Sequence, residues 1–339
     1  SRVFMPLPVL LSLVLPRAAS GAAAADGHAG TVFGVTVPAS CARPFRHRRG
    51  AVHFLAGHRI GEVAADADGL ASLLAATELE SGGWWLAPRR CFVASAWHAG
   101  QAAGSRWARS SQYWQDSVLA SLFSETNLGT TNRFYVEIGF HLQGYPSAGE
   151  APSGSNTQLL RDVFGWQGLL LDRENEYMPH NLHRRTVAPE NVVAVFSEFL
   201  VPTSPDYVSI DIDGCDLWIF LALTEQYRPR VISIEYNAHY EYGESKAARC
   251  RLSSGEAYEH TGFDEYGASL DAIAKAAASR GYHVVQLVPP VDAVLVRSDL
   301  ICRGTLVELA RFRNSTGRYL CPVYPHAPAW LRERWVVDF

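Results

Sequence analysis

Short apolar runs alternate with amphipathic stretches along the second half of the chain. Four of these runs end at a glycine or an acidic residue, a pattern typical of buried strands. They are Phe134–Ile138, Leu169–Leu171, Tyr207–Ile210 and Val231–Ile234. Apolar residues recur at helical spacing between and after them, in the ranges 157–164, 192–199, 217–223 and 268–279. Strands that alternate with helices predict a parallel sheet with helices on both faces.

The last two predicted strands break this alternation. They cover residues 283–287 and 293–296, and only five residues separate them. A parallel crossover needs about a dozen residues or more, so we expect these two strands to pair antiparallel. The one remaining strand, within 182–187, is interrupted by His183, Arg184 and Arg185. We therefore predict a Rossmann-like α/β sheet, mostly parallel with a C-terminal antiparallel hairpin, which is the pattern of class I methyltransferases.

The N-terminal 30 residues resemble a targeting segment followed by a linker. Arg2 precedes an apolar stretch over residues 3–15, and small residues follow it, which is the order found in signal peptides. The stretch is shorter than the roughly 20 residues of a membrane-spanning helix, so no stable membrane span is expected. We predict the secretory pathway as the location, with an organelle reached by a transit peptide as the alternative.

Six cysteines and one sequon, at Asn314, agree with a secretory route. No pair of cysteines has the spacing of a zinc site, so structural zinc is not expected. The even number permits disulfides, and the sequence leaves their connectivity open. The first pairs to test are Cys302 with Cys321 and Cys41 with Cys91.

Charge and loop composition exclude several classes of ligand. The chain has 30 Lys and Arg against 34 Asp and Glu, whereas a nucleic-acid-binding protein needs a basic surface. The loop after the first strand, 139–144, lacks the G-x-G-x-x-G motif that places a pyrophosphate at a helix N-terminus. There is also no G-K-[ST] motif for a nucleoside triphosphate. The sequence predicts neither nucleic acid nor a phosphate-bearing dinucleotide as the ligand.

Acidic residues lie at the end of each of the four clear strands or directly after it. They are Glu137, Asp172, Asp211 with Asp213, and Glu235. Ligands of open α/β sheets bind outside the carboxyl ends of the strands, so these carboxylates are expected at one binding edge. S-adenosylmethionine suits an acidic edge because it carries a sulfonium, an ammonium and two ribose hydroxyls. We expect Asp172 to accept hydrogen bonds from the ribose, and Glu137 and Asp211 to face the ammonium.

Seven motifs in order resemble those of FkbM-like S-adenosylmethionine-dependent methyltransferases. They are 111–116 with 131–139, then 153–157, 165–172, 209–216, 229–237, 267–270 with 281–282, and 292–297. The resemblance places the methyltransferase domain at 111–300, between an N-terminal region of unknown role, 31–110, and a C-terminal extension, 301–339. The family pattern Lys-Ile-Asp-Val-Glu-Gly-Ala-Glu differs here, because Ser209 stands for the lysine and Asp213 and Asp216 for the glutamates.

The resemblance implies methyl transfer from S-adenosylmethionine, usually to oxygen. It implies cofactor-binding roles for five residues, namely Glu137, Gly139, Asn156, Asp172 and Asp211. No metal is expected, and the acceptor is a small molecule or a glycan that the sequence does not identify. A base is needed only if the acceptor must lose a proton. The candidates for this catalytic role are Asp213, Glu235 and His239.

Two other functions stay open. Asp211-Ile212-Asp213 is formally a D-x-D motif, whose carboxylates share one face of a strand and would hold Mn²⁺ in a metal-dependent glycosyltransferase. The chain is alternatively a catalytically inactive methyltransferase-like module that binds a glycan or a protein.

Overall fold

The computed structural model describes eight parts of the chain. These are residues 30–32, 35–37, 91–103, 108, 110–140, 155–250, 265–312 and 327–339. The expected targeting segment, the sequon at Asn314, Cys41 and Cys321 lie outside the described residues. None of the helices within the described ranges has the length and hydropathy of a membrane span.

Eleven strands are present in the described ranges. In chain order they are β1 Gly30–Val32, β2 Val35–Val37, β3 Phe134–Ile138, β4 Gln167–Asp172, β5 Leu182–Arg184, β6 Tyr207–Ile210, β7 Val231–Glu235, β8 Lys246–Ala248, β9 Tyr282–Val288, β10 Asp292–Arg297 and β11 Val336–Asp338. Seven of them form one sheet, in the order β5-β4-β3-β6-β7-β10-β9. The pairs β1 with β2 and β8 with β11 form two small antiparallel sheets.

The strand directions confirm the predicted fold class. β3 pairs in parallel with β4 and β6, and the pairs β4 with β5 and β6 with β7 are parallel as well. β10 is antiparallel to both of its neighbours, β7 and β9. The chain therefore forms a Rossmann-like, mainly parallel sheet with a C-terminal antiparallel hairpin. Because the chain leaves β3 toward β5 and returns to β6, the topological switch point lies between β3 and β6.

Seven α-helices accompany the strands in the described ranges. They are α1 Ala94–Ala103, α2 Gln115–Leu122, α3 Gln158–Asp162, α4 Val192–Glu198, α5 Asp216–Leu223, α6 Leu270–Ser279 and α7 Ala329–Trp335. The periodicity predicted α3 to α6, and α6 begins two residues later than expected. The Ser269 side chain accepts a hydrogen bond from the Ala272 amide, which sets the N-terminus of that helix.

Two clusters of buried residues cover the two faces of the large sheet. Neighbouring residues of β3 belong to different clusters, since Tyr135 packs with α1 to α3 and Val136 packs with α4 to α6. Phe92 and Trp97 join the first cluster, so the segment 91–103, to which the sequence assigned no role, packs on the sheet. The sheet therefore has helices on both faces, as its sequence predicted.

The disulfides differ from the pairs suggested first. Cys91 is bonded to Cys302, and Cys215 is bonded to Cys250. The pairings of Cys302 with Cys321 and of Cys41 with Cys91 were therefore wrong. Backbone hydrogen bonds explain the observed bridge, because the Phe92 amide donates to the Leu300 carbonyl and the Cys302 amide donates to the Phe92 carbonyl. This pairing brings the Cα atoms of Cys91 and Cys302 to 4.9 Å, within the range of a disulfide.

Candidate functional site

Four strands of the sheet contribute to one polar edge. The carboxyl ends of β3, β6 and β7 lie side by side, and antiparallel β10 begins at the same edge. Glu137 is in register with Ser209, Ser209 is in register with Ser233, and Asp292 lies opposite Glu235. Side chains two residues apart on a strand share one face, so these five residues lie on the face that α2 covers.

Glu137 is buried and holds the start of α3 against the sheet. Its Oε2 accepts hydrogen bonds from the hydroxyls of Ser155, at 2.8 Å, and of Thr157. Its Oε1 accepts one from the Asn156 amide at 2.9 Å. Burial raises the pKa of the Glu137 carboxyl, and these hydrogen bonds oppose the rise.

Asp292 and Gln115 belong to the same site, although no role was predicted for either residue. Asp292 Oδ2 accepts hydrogen bonds from Gln115 Nε2 at 2.9 Å and from Asn156 Nδ2 at 3.2 Å. Asn156 Nδ2 also donates to Ser209 Oγ at 3.0 Å. The Oδ1 atoms of Asp292 and Asn156 are buried and have no hydrogen-bond partner among the described residues. The predicted hairpin could have pointed to Asp292, because the second strand of that hairpin begins at the edge where the parallel strands end.

Asp211, Asp213 and Glu235 form a cluster of three carboxylates. One oxygen of each lies within 4.8 Å of the others. Burial raises the pKa of Asp211 well above its ordinary value, and the neighbouring Asp292 charge adds to the shift. Burial and the Asp211 charge raise the pKa of Glu235 in the same way. No Lys or Arg of the described residues forms a salt bridge with this cluster. The arrangement therefore suits a cationic ligand.

The buried Asp216 side chain holds the loop that carries Asp211 and Asp213. The Asp216 carboxylate accepts hydrogen bonds from the amides of Ile212 and Gly214, both at 2.8 Å. Burial raises the pKa of Asp216 to about 7. Asp213 has a φ of 60°, a left-handed conformation that costs a non-glycine residue energy and is often found at functional sites. The adjacent Cys215–Cys250 disulfide ties the loop to the segment after β8.

Gly139 is required where two loops touch at the switch point. Its φ is +91°, and a Cβ atom there would lie 1.6 Å from the Asp211 carbonyl oxygen. The Asp211 amide donates to the Ile138 carbonyl at 3.1 Å, and the Gly139 amide donates to the Leu171 carbonyl at 2.9 Å. No other residue type fits this close approach without moving the backbone.

Asp172 is the last residue of β4, as predicted, and one of its two carboxylate oxygens already accepts hydrogen bonds from the chain. Its Oδ1 accepts hydrogen bonds from the Glu174 amide at 2.9 Å and from Asn175, whose backbone and side-chain nitrogens lie at 2.5 and 2.7 Å. These bonds close the turn after the strand. No residue in the described part of the chain donates to Oδ2, which leaves that oxygen for a ligand.

His239 lies in the segment after β7 and is buried. Its side chain is 2% exposed, and its Nδ1 lies 2.8 Å from Asn237 Oδ1. Asn237 in turn donates to the Tyr266 carbonyl at 2.9 Å. This environment is typical of a structural histidine, and the catalytic role of His239 stays a prediction.

The comparisons with known proteins find a distant structural likeness. No known protein family matches the chain, and no curated protein is significantly similar to it. Among solved structures, the chain is similar to the crystal structure of TnmH, at 16% identity and a TM-score of 0.31. The match covers 67% of this chain and 61% of TnmH, so the chain spans about three-fifths of the length of TnmH. The resemblance to FkbM-like enzymes stays a prediction, and the Rossmann-like fold assignment rests on the order and directions of the strands in the sheet.

Proposed function

We propose that this protein binds S-adenosylmethionine at the carboxyl edge of its sheet and transfers the methyl group to an oxygen of a small-molecule or glycan acceptor. One observation carries the proposal. Carboxylates cluster at the switch point of a methyltransferase-type sheet, and no Lys or Arg of the described residues neutralises them. A cationic cofactor without phosphate suits that environment.

The residues at the edge fit such a cofactor in two further respects. Asp172 keeps Oδ2 for the ribose hydroxyls while Oδ1 holds its own turn. Gly139 brings the β3 loop against the Asp211 backbone, so the two loops meet at the switch point. Glu137 and Asp211 are the carboxylates that we expect to face the cationic methionine end.

When bound, S-adenosylmethionine supplies an electrophilic methyl group on its sulfonium. The chain has to bind the acceptor, hold its oxygen in line with the methyl group and, where needed, remove a proton. Asp213 is exposed and Glu235 lies beside it, so both are placed to accept a hydrogen bond from an acceptor hydroxyl. Asn156 and Gln115 hold the neighbouring Asp292 in place and so keep this wall of the site rigid.

The carboxylate cluster also favours a second function. Asp211 and Asp213 form the D-x-D motif expected of a metal-dependent glycosyltransferase, and Glu235 adds a third oxygen ligand. Methyl transfer stays first because the antiparallel strand β10 completes a methyltransferase-type strand order. A binding module without catalysis would keep the same fold and lack turnover.

Mass spectrometry of small molecules released from the purified protein tests the proposal. We expect co-purified S-adenosylmethionine or S-adenosylhomocysteine, and saturable binding of both in isothermal titration. Absence of both compounds, together with no heat of binding at millimolar concentration, would overturn the proposal. Stabilisation by UDP only in the presence of Mn²⁺ would favour the glycosyltransferase instead.

A further inference from the structure

We infer that Asp211, Asp213 and Glu235 bind a divalent metal ion of the Mg²⁺, Mn²⁺ or Ca²⁺ class. Each residue offers one carboxylate oxygen, and the three oxygens lie within 4.8 Å of one another. The centre of a triangle with edges of that length is about 2.8 Å from each corner, and Ca²⁺ binds oxygen at about 2.3–2.6 Å. A small rotation of the exposed Asp213 side chain closes the difference.

Unpartnered buried oxygens beside the cluster are a second, independent observation that points to a cation. Glu235 Oε2 is buried with less than 1 Å² exposed, and it accepts no hydrogen bond from any described residue. Asp292 lies directly opposite Glu235 across the β7–β10 pair, is 1% exposed and has an unpartnered Oδ1. A buried carboxylate oxygen without a donor is costly, and a metal ion at this point would supply the missing partner.

The backbone holds the three ligands in place before any ion arrives. Asp216 accepts two backbone hydrogen bonds across the 211–214 loop, and the Cys215–Cys250 disulfide anchors its end. Glu235 is the last residue of β7, between β6 and β10 in the sheet. Ligands on a fixed loop and a strand end lose little conformational freedom on binding, which strengthens metal affinity.

This site gives the proposed methyl transfer a more specific substrate class. Three protein ligands leave coordination positions open on an ion that takes six or more. Those positions would bind acceptor oxygens, and a metal-bound hydroxyl loses its proton more readily than a free one. The acceptor would then carry a hydroxyl beside a second oxygen donor, a point that rests on the proposed function. Asp211 would serve the metal, and the ammonium contact would fall to Glu137.

Titration of the full chain with Mn²⁺ alone, followed by electron paramagnetic resonance of the free ion, tests the site. We expect one Mn²⁺ per chain. Asp213→Asn and Glu235→Gln should each weaken binding by at least about 10-fold, the smallest loss usual for a disturbed metal site. Glu174→Gln is the matched control, because Glu174 is an exposed carboxylate after β4 and should leave affinity unchanged.

Two results would overturn the site: no binding by the wild type at millimolar Mn²⁺, or affinities in both variants equal to that of the wild type. Thermal melting of each variant in EDTA shows that it is folded, and Asp213 is exposed, so its variant should fold normally. Titration of the EDTA-treated chain with S-adenosylhomocysteine separates the two proposals. Cofactor binding without Mn²⁺ binding removes the metal site alone, and Mn²⁺ binding without cofactor binding removes the proposed function alone.

Discussion

Buried carboxylates have opposite surroundings at the two ends of the central strands. At the amino end, Asp206 is 0% exposed and accepts hydrogen bonds from the amides of Thr131, Asn132 and Arg133. Arg230 adds a salt bridge at 2.8 Å, and its guanidinium also donates to the carbonyls of residues 128 and 129. Burial alone would raise the pKa of Asp206, but the hydrogen bonds from Arg230 and Thr131 outweigh it and lower the pKa.

At the carboxyl end, the effect of burial on the carboxylates is not reversed by such partners. Asp211, Glu235 and Asp292 have raised pKa values, with burial as the largest cause in each. No Arg of the described residues forms a salt bridge there. The difference shows that burial by itself does not decide what a carboxylate does. Where a cationic partner and several amide donors surround it, the carboxylate joins strands together, and where no cationic partner is present it is left to bind a ligand.

Asp206→Asn tests the amino-end side of this comparison and should cause the largest loss of stability. It removes the charge that balances buried Arg230, and breaking a buried pair from one side costs about 3–5 kcal/mol. Chemical denaturation at neutral pH measures the loss. Asp299→Asn is the control, since its ion pair with Arg297 is exposed and should change stability by less than about 1 kcal/mol.

The stabilisation that Asp206 contributes should depend on pH. A carboxylate whose folded-state pKa is lowered stabilises the fold above its unfolded-state pKa, and the stabilisation disappears as pH falls through the lowered value. The stability difference between wild type and Asp206→Asn should therefore narrow in acid. A constant difference from neutral to acidic pH would contradict the role given to Asp206.

Gly139→Ala tests the contact between the two loops of the site. The new methyl group would meet the Asp211 carbonyl, and overpacking together with the left-handed φ should cost about 3 kcal/mol. Gly129→Ala is a matched control, because Gly129 has a φ of +60° and open space around its Cβ position. Thermal melting compares the two. Equal losses would show that backbone conformation, and not the close approach, requires glycine at Gly139.

Asp172→Ala should weaken binding of S-adenosylmethionine and S-adenosylhomocysteine by at least about 10-fold, as expected for lost hydrogen bonds to a charged group. Because Asp172 also closes its own turn, Asn175→Ala provides the control, since it removes one donor to Oδ1 and leaves Oδ2 untouched. Isothermal titration of the three proteins measures the affinities. A matching loss in Asn175→Ala would attribute the effect to the turn.

Glu235→Gln should have the smallest effect on stability, and it should stabilise the fold where the other variants destabilise it or weaken binding. Where both carboxyls are ionised, it removes a like charge directly opposite Asp292, and such a pair destabilises a sheet by about 0.2–1 kcal/mol. The melting temperature in EDTA should therefore rise, as is common when a strained binding site is neutralised. A lower melting temperature would contradict electrostatic repulsion between Glu235 and Asp292.

The sequence predicted the sheet well because its signals are local. Strand runs such as Tyr207–Ile210 are apolar enough to be recognised alone, and the short link before β10 fixed its direction. The contribution of Asp292 depends on which strand β10 joins, and that of Gln115 on where α2 packs. The disulfides were missed for the same reason, since Cys91 and Cys302 are 211 residues apart. Contacts of that range follow from the completed fold.

The Cys91–Cys302 bond also changes the connectivity of the molecule as a whole. All seven strands of the large sheet lie between these two cysteines, so the bond closes the entire sheet into a covalent ring. Closing a loop of this length lowers the entropy of the unfolded chain by the equivalent of about 5 kcal/mol. A single backbone cut between any two strands would leave both pieces joined. New chain ends could therefore be opened inside the ring without separating the halves of the binding edge.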